Sequence, residues 1–222
     1  MLPFTGPVYF SLLASYNADL WPAQIFAYGL AIVALAMACR PFPGSGRAVS
    51  ALLAASWIAI GLAFHLDRFA GITFAAPAYG ALFILQGLLF LWTGTARGAF
   101  RIGLRSDTTG LAGLALAIYA LTLYPLAAWL QGHGWPMTPL VGLSGAPTTI
   151  FTIGLLLLGR GRIPYHLLAI PVLWSLIAGA HAAVLGIAED IALPLAGLGG
   201  LAFAFRRNLA ARRAERRARQ TG

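Results

Sequence analysis

Long apolar stretches alternate with short polar ones along almost the whole chain. Seven apolar segments can be marked, at residues 20–39, 48–66, 71–93, 109–130, 140–159, 163–184 and 188–205. Most are close to the roughly 20 residues that a helix needs to cross the hydrocarbon core of a bilayer. Backbone groups in lipid have no water partners, so each segment should be helical. The pattern therefore predicts an all-α membrane protein with seven transmembrane helices, preceded by a short interfacial segment at residues 7–16.

The composition leaves no room for a soluble domain. Of the 222 residues, 59% are hydrophobic and only 9% are charged, whereas a soluble domain carries about 25% charged residues. We expect a single transmembrane domain over residues 1–222.

The basic residues, all of them arginine, predict the orientation of the helices. Fourteen of the 15 lie at alternate ends of the predicted segments, which is one side of the membrane, and only Arg68 lies on the other. The positive-inside rule makes the arginine-rich side cytoplasmic, with the N-terminus outside and the C-terminus inside a bacterial inner membrane. Residues 206–222 form a basic cytoplasmic tail that should attract anionic lipids, with about 1 kcal/mol per charge near the surface.

The apolar segments contain a sequence pattern that occurs twice. The pattern P-x-x-I-F-x-x-G-L occurs at residues 22–30 and again at 147–155. Each copy is followed by a segment with a Trp and then a His, and next by a segment with P-x-x-G; the matched residues are Trp57 and His65, Trp174 and His181, Pro77 and Pro194, and Gly80 and Gly197. We therefore expect two parallel three-helix repeats, at 20–93 and 140–205, joined by a linker helix at 109–130.

This arrangement of three, one and three helices resembles, in topology only, the SWEET sugar transporters and the wider PQ-loop group. The motifs YNADLWPAQ and PTTIFT resemble instead a bacterial multi-pass membrane family of unknown function. The first resemblance implies transport, and the second implies no particular activity.

Two residue counts exclude whole classes of function. The chain has no lysine, and a retinal pigment needs one for its Schiff base. Its one cysteine, Cys39, allows neither an intrachain disulfide nor a cysteine metal cluster. The basic tail has no interleaved aromatic residues, so we expect no nucleic-acid partner.

The first candidate site lies between the two repeats, near the membrane midplane, where parallel-repeat transporters bind their substrates. Trp57 and Trp174 lie too deep for interfacial tryptophans and would form a stacking platform. A helix beginning at Pro147 would present its N-terminus and the hydroxyls of Thr148 and Thr149 to a polar solute. Gln24 completes this predicted set, although packing and hydrogen bonds between helices would explain the same residues.

The second candidate site lies in the outer half of the membrane. Ionisable residues collect there: His65, Asp67, His181, Glu189 and Asp190. Histidine and carboxylate side chains bind zinc or relay protons, and ionisable groups at membrane depth are candidates for function. The alternative is that they are loop residues whose charge complements the arginine at the other end.

Three functions remain open from the sequence. The first is a small-solute transporter with its site between the repeats. The second is a membrane-embedded, metal-dependent hydrolase that uses the outer histidines and carboxylates. The third is a sensor or assembly partner without catalysis or transport. A cavity, a converging metal-ligand set or a fully packed interior would separate them.

Overall fold

The computed structural model describes residues 3–220, so the first and last two residues of the predicted domain and tail lie outside the described chain. The described residues contain helices and no β-strand. The α-helices are α1 (Gly6–Asp19), α2 (Ala23–Cys39), α3 (Ser45–Ala59), α4 (Ala76–Phe90), α5 (Thr108–Leu121), α6 (Leu123–Leu130), α7 (Gly145–Leu157), α8 (Tyr165–Leu185) and α9 (Ala192–Gln220). Helices α3 and α4 continue into π-helical segments, Ile60–Arg68 and Leu91–Ala96, and short 3-10 helices occupy Phe69–Gly71 and Ala188–Ile191. The all-helical prediction is confirmed.

Four helical stretches are long and apolar enough to cross a membrane, namely Ser45–Gly71, Ala76–Ala96, Tyr165–Leu185 and Ala188–Gln220. The number rises to six if α1 with α2, and α5 with α6, each form one bent span. Helix α7 is apolar but shorter. By length and composition, then, the described chain has four to six candidate spans rather than a clear set of seven.

Helix α1 is longer than the interfacial segment that the sequence predicts, and it packs against the rest of the protein. It meets α2 at an angle of 91°. The side chains of Phe10, Leu13 and Tyr16 are buried, and the Asn17 amide donates to the backbone carbonyl of Pro136 at 2.6 Å. Burial of one face, together with this hydrogen bond, attaches α1 to the loop between α6 and α7.

The break between α5 and α6, a bend of 41°, has its cause in Pro125. A proline inside a helix lacks an N–H and displaces the carbonyl four residues earlier, which here is that of Leu121. The Tyr28 hydroxyl donates a hydrogen bond to this carbonyl. A side chain of α2 thereby satisfies the acceptor that the proline leaves free.

Helix α7 lies at the centre, between α5, α8 and α9, and every side chain from Pro147 to its end is buried. It contacts α5 backbone to backbone, because a Cβ added at Gly154 would lie 2.7 Å from the carbonyl oxygen of Gly113. Small residues allow this close approach in membrane proteins. The helix has 13 residues and begins at Gly145, so Pro147 is its third residue and not, as the sequence predicts, its first.

Helix α9 continues the last apolar segment into the predicted tail without a break. Arg207 is buried and donates to the backbone carbonyls of Leu157, at 3.1 Å, and Gly159. Cations at a helix C-terminus satisfy its free carbonyls and interact favourably with its dipole. The first residues of the basic segment are thus part of the packed structure, where they close the end of α7.

Candidate functional site

A cavity of about 40 Å³ lies at the end of the helices away from most of the arginine residues. It is lined by residues in and just before α1, in the π-helical and 3-10 segments after α3, at the start of α7, and in α8 and the segment that follows it: Phe4, Tyr9, Phe64, His65, Phe69, Gly145, Ala146, Trp174, Ala178, His181, Ala182, Leu185, Ile187 and Asp190. One water needs about 10–15 Å³ of such volume. The cavity therefore has room for about three waters or for a very small solute.

His65 is the most unusual residue of the cavity wall. It is 1% exposed, yet neither ring nitrogen has a hydrogen-bond partner in the described chain. Aromatic rings enclose it, with centroids at 4.6 Å for Phe83 and 5.0 Å for Trp174. An unpaired buried polar group costs about 1–3 kcal/mol. His65 also lies in a π-helical segment, and such segments occur frequently at functional sites.

Trp174 carries a second unpaired group in the same wall. Its Nε1 is buried without an acceptor, and a Cβ added at Gly145 would lie 3.2 Å from it. Gly145 begins α7, where the first N–H groups of any helix have no partner within the helix and the dipole is positive. The indole N–H and the start of α7 together form a wall rich in hydrogen-bond donors.

Two further polar groups, His181 and Asp190, line the cavity. His181 Nε2 lies 3.4 Å from the Tyr79 hydroxyl. Asp190 accepts a hydrogen bond from the Tyr124 hydroxyl and forms no salt bridge within residues 3–220. The cavity therefore offers a carboxyl group and two imidazoles to an occupant, in addition to the donors of α7 and Trp174.

The five ionisable residues of the second predicted site do not all meet. His65, His181 and Asp190 share the cavity. Asp67 is exposed and pairs with Arg68 at 2.9 Å, and Glu189 pairs with a histidine of the preceding loop, His133, at 2.7 Å. Within the described residues, no three His, Cys, Asp or Glu side chains are arranged to hold a metal ion. The described residues therefore do not bring this predicted set together as the ligands of a zinc ion.

The tryptophan platform of the first predicted site is also not formed. Phe83 packs between the two indoles, with ring centroids 4.4 Å from Trp57 and 4.8 Å from Trp174. The Trp57 Nε1 donates to the Thr152 hydroxyl at 2.9 Å. Only Trp174 reaches the cavity, so the two tryptophans that match in sequence differ in their surroundings.

The remaining residues of the first predicted site make local hydrogen bonds. The Thr148 hydroxyl accepts from the Gly142 N–H at 2.8 Å, and the Thr149 hydroxyl donates to the Gly145 carbonyl at 2.8 Å. The Gln24 amide donates to a backbone carbonyl of α1 at 2.6 Å. These groups cap helices or connect them, which is the alternative explanation given above for the same residues. None of them lines the cavity.

Sequence reasoning missed several aromatic residues of this region, including Tyr9, Phe69, Tyr79 and Tyr124. Tyr9 and Phe69 line the cavity, and the hydroxyls of Tyr79 and Tyr124 orient its histidine and carboxyl group. Tyr79 lies inside the first P-x-x-G motif, which was a signal that could have drawn attention to it. The other three lie in ordinary apolar surroundings, where nothing in the sequence distinguishes them.

Comparisons with known proteins agree with one of the two sequence resemblances. No curated protein and no solved structure matches the chain. Residues 7–215, nearly the whole chain, match a family of unknown function, DUF6064. The resemblance of the YNADLWPAQ and PTTIFT motifs to a family without a known activity is thereby confirmed. The chain belongs to the DUF6064 family.

Proposed function

We propose that this protein is a small-solute carrier of a bacterial inner membrane, and that the cavity beside His65 and Trp174 is its solute site. The observation that supports the proposal is the set of unpaired buried nitrogens: both of His65 and the indole nitrogen of Trp174. A buried nitrogen without a hydrogen-bond partner lowers the stability of the folded protein. A polar solute that hydrogen-bonds to these three nitrogens would remove that penalty.

The position of the cavity in the chain also supports a carrier. His65 belongs to the first predicted repeat, and Trp174 and His181 belong to the second. In transporters with repeated halves, the substrate site lies where the halves meet, and rocking of one half against the other opens it to each side in turn. The proposal therefore includes the seven crossings, the parallel repeats and the cytoplasmic C-terminus that the sequence predicts.

The cavity favours a carrier over the two other functions. A metal-dependent hydrolase requires converging ligands, and no such set exists among residues 3–220. A passive assembly partner has no need for unpaired polar groups around a buried space. The occupant that suits this wall is small, polar and able both to accept hydrogen bonds from Trp174 and to donate to Asp190.

Cysteine accessibility tests the proposal without knowledge of the solute. In a Cys39→Ser background the chain has no other thiol, and Ala182→Cys places one in the cavity wall. A membrane-impermeant thiosulfonate reagent is applied to spheroplasts and, separately, to inverted vesicles. Because a carrier exposes its site to each side in turn, we expect modification of the Ala182→Cys thiol from both sides.

Ala120→Cys is the matched control, since Ala120 is an equally buried alanine that does not line the cavity. Its thiol should react from neither side. Reaction of the cavity thiol from one side only, or from neither, would contradict alternating access and leave a static binding or structural role.

A further inference from the structure

A second concave site lies at the opposite, arginine-rich end of the helices. It is a pocket of about 480 Å³ between the start of α3, the segment after α4 and the turn after α7. Its wall contains three arginine residues, Arg47, Arg101 and Arg160. They come from three separate parts of the chain, so the fold itself brings their positive charges together.

The backbone holds these arginine residues in place. The N–H of Arg160 donates to the Arg101 carbonyl at 2.7 Å, next to an isolated antiparallel bridge between Ile102 and Gly159, so Arg101 and Arg160 lie opposite each other. The Arg160 guanidinium packs on Gly103 so closely that a Cβ there would overlap it. In the same way, a Cβ at Gly98 would lie 2.8 Å from the Arg47 Nε.

No acidic residue is left to neutralise this cluster. The chain has six acidic residues: Asp19, Asp67, Asp107, Glu189, Asp190 and Glu215. Asp19 and Asp67 pair with Arg68, Asp107 pairs with Arg105, Glu189 pairs with His133 and Glu215 pairs with Arg162, while Asp190 lies in the cavity wall. The three pocket arginines have no carboxylate partner in residues 3–220. Arg101 and Arg160 lie opposite each other next to the isolated bridge, and like charges in such positions repel, so an anion bound between them would stabilise the arrangement.

We propose that this pocket binds a phosphate group. The planar guanidinium presents paired N–H donors that match phosphate oxygens. The start of α3 adds the positive end of a helix dipole to the same wall, because Ser45 and Gly46 both line the pocket. The phosphate belongs either to the headgroup of an anionic lipid or to a soluble phosphate compound. The pocket differs from the tail at residues 206–222, whose attraction to lipid is diffuse.

Native mass spectrometry of the full chain in detergent tests this site. Phosphatidylglycerol is added in one arm, inorganic phosphate in another, and the zwitterionic phosphatidylcholine serves as the reference lipid. We compare the double variant Arg101→Gln/Arg160→Gln with Arg212→Gln/Arg216→Gln, which removes the same charge from exposed positions of the tail. Because the pocket guanidinium groups would make charge-assisted hydrogen bonds to the phosphate that the exposed tail arginines do not make, the pocket variant should bind the phosphate ligand on the order of tenfold to thirtyfold more weakly, and the tail variant should match the wild type.

The two sources of phosphate give different outcomes. One tightly bound phosphatidylglycerol that only the pocket variant loses identifies a lipid site, and loss of inorganic phosphate in that variant identifies a soluble ligand. Equal weakening in both double variants, or no preference over phosphatidylcholine together with no phosphate binding, overturns the proposal.

A variant that keeps the net charge serves as a control for effects of folding on binding. Gly103→Ala displaces the Arg160 guanidinium while the net charge stays the same. If the protein remains monodisperse and helical, this variant should weaken binding as well. Unchanged affinity in a folded Gly103→Ala protein would also contradict the proposed site.

Discussion

The two tryptophans that flank Phe83 allow a sharp test of the unpaired groups in the cavity. The substitutions Trp57→Phe and Trp174→Phe make the same chemical change at two buried positions that contact the same ring. The loss of packing volume is therefore similar in both variants. Only the hydrogen bonding differs, because the Trp57 indole has an acceptor in Thr152 and the Trp174 indole has none.

This difference can be given a size. Loss of the Trp57 hydrogen bond should cost about 0.5–1.5 kcal/mol, whereas removal of an unpaired buried N–H from Trp174 should recover about 1–3 kcal/mol. We therefore expect Trp57→Phe to be less stable than Trp174→Phe by about 2–4 kcal/mol. At roughly 2–4 °C per kcal/mol for a chain of this length, their unfolding temperatures should differ by about 5–15 °C.

Far-ultraviolet circular dichroism in one detergent, at one heating rate, measures this difference without relying on tryptophan fluorescence. The common heating rate matters because unfolding of such proteins is often irreversible. Equal unfolding temperatures, or a lower one for Trp174→Phe, would refute the reasoning, since the Trp174 N–H would then be satisfied in the protein.

Three other substitutions test the packing. Gly154→Ala should lower stability by about 1–3 kcal/mol, because its methyl group would lie 2.7 Å from a carbonyl oxygen of α5; thermal unfolding measures this. Arg207→Gln should lower it by about 1.5–3 kcal/mol through the charged hydrogen bonds at the end of α7, whereas an exposed tail arginine changed in the same way should have no effect. Asp107→Ala should cost about 1 kcal/mol by removing the cap on the Gly110 N–H, and Asp107→Asn, which keeps a capping oxygen, should cost less. The Arg105 guanidinium lowers the pKa of Asp107, so this contribution should be present above the unfolded-state pKa, about 3.9, and be lost as the pH falls through the lower folded value.

The apolar lengths predicted an all-helical chain correctly, because lipid allows few other backbone structures, although they gave seven spans where four to six helical stretches are long and apolar enough. They predicted the bends poorly. Pro125 signals the break between α5 and α6 in the sequence, but nothing indicates that Tyr28 would satisfy the released carbonyl. The right angle between α1 and α2 depends on burial against distant loops, and hydropathy carries no information about it.

The site was harder to predict, because a helix that is apolar on all sides shows no preferred face. The matching positions of Trp57 and Trp174 in the sequence therefore did not reveal that Phe83 packs between their side chains. Residues two apart on an α-helix are separated by about 200° around its axis, so their side chains point in nearly opposite directions. This geometry alone indicates that Asp67 and His65 do not face the same site. The unpaired state of His65 follows from tertiary packing, which the sequence does not display.

The burial of α7 has a consequence for biogenesis. Its 13 residues extend about 20 Å, which is well short of the roughly 30 Å of a hydrocarbon core. Almost no surface of this helix remains for lipid, so the bilayer alone supplies little driving force for its insertion. We therefore expect α7 to enter the membrane together with the helices made after it, and a nascent chain that ends before α8 should leave this segment outside the lipid.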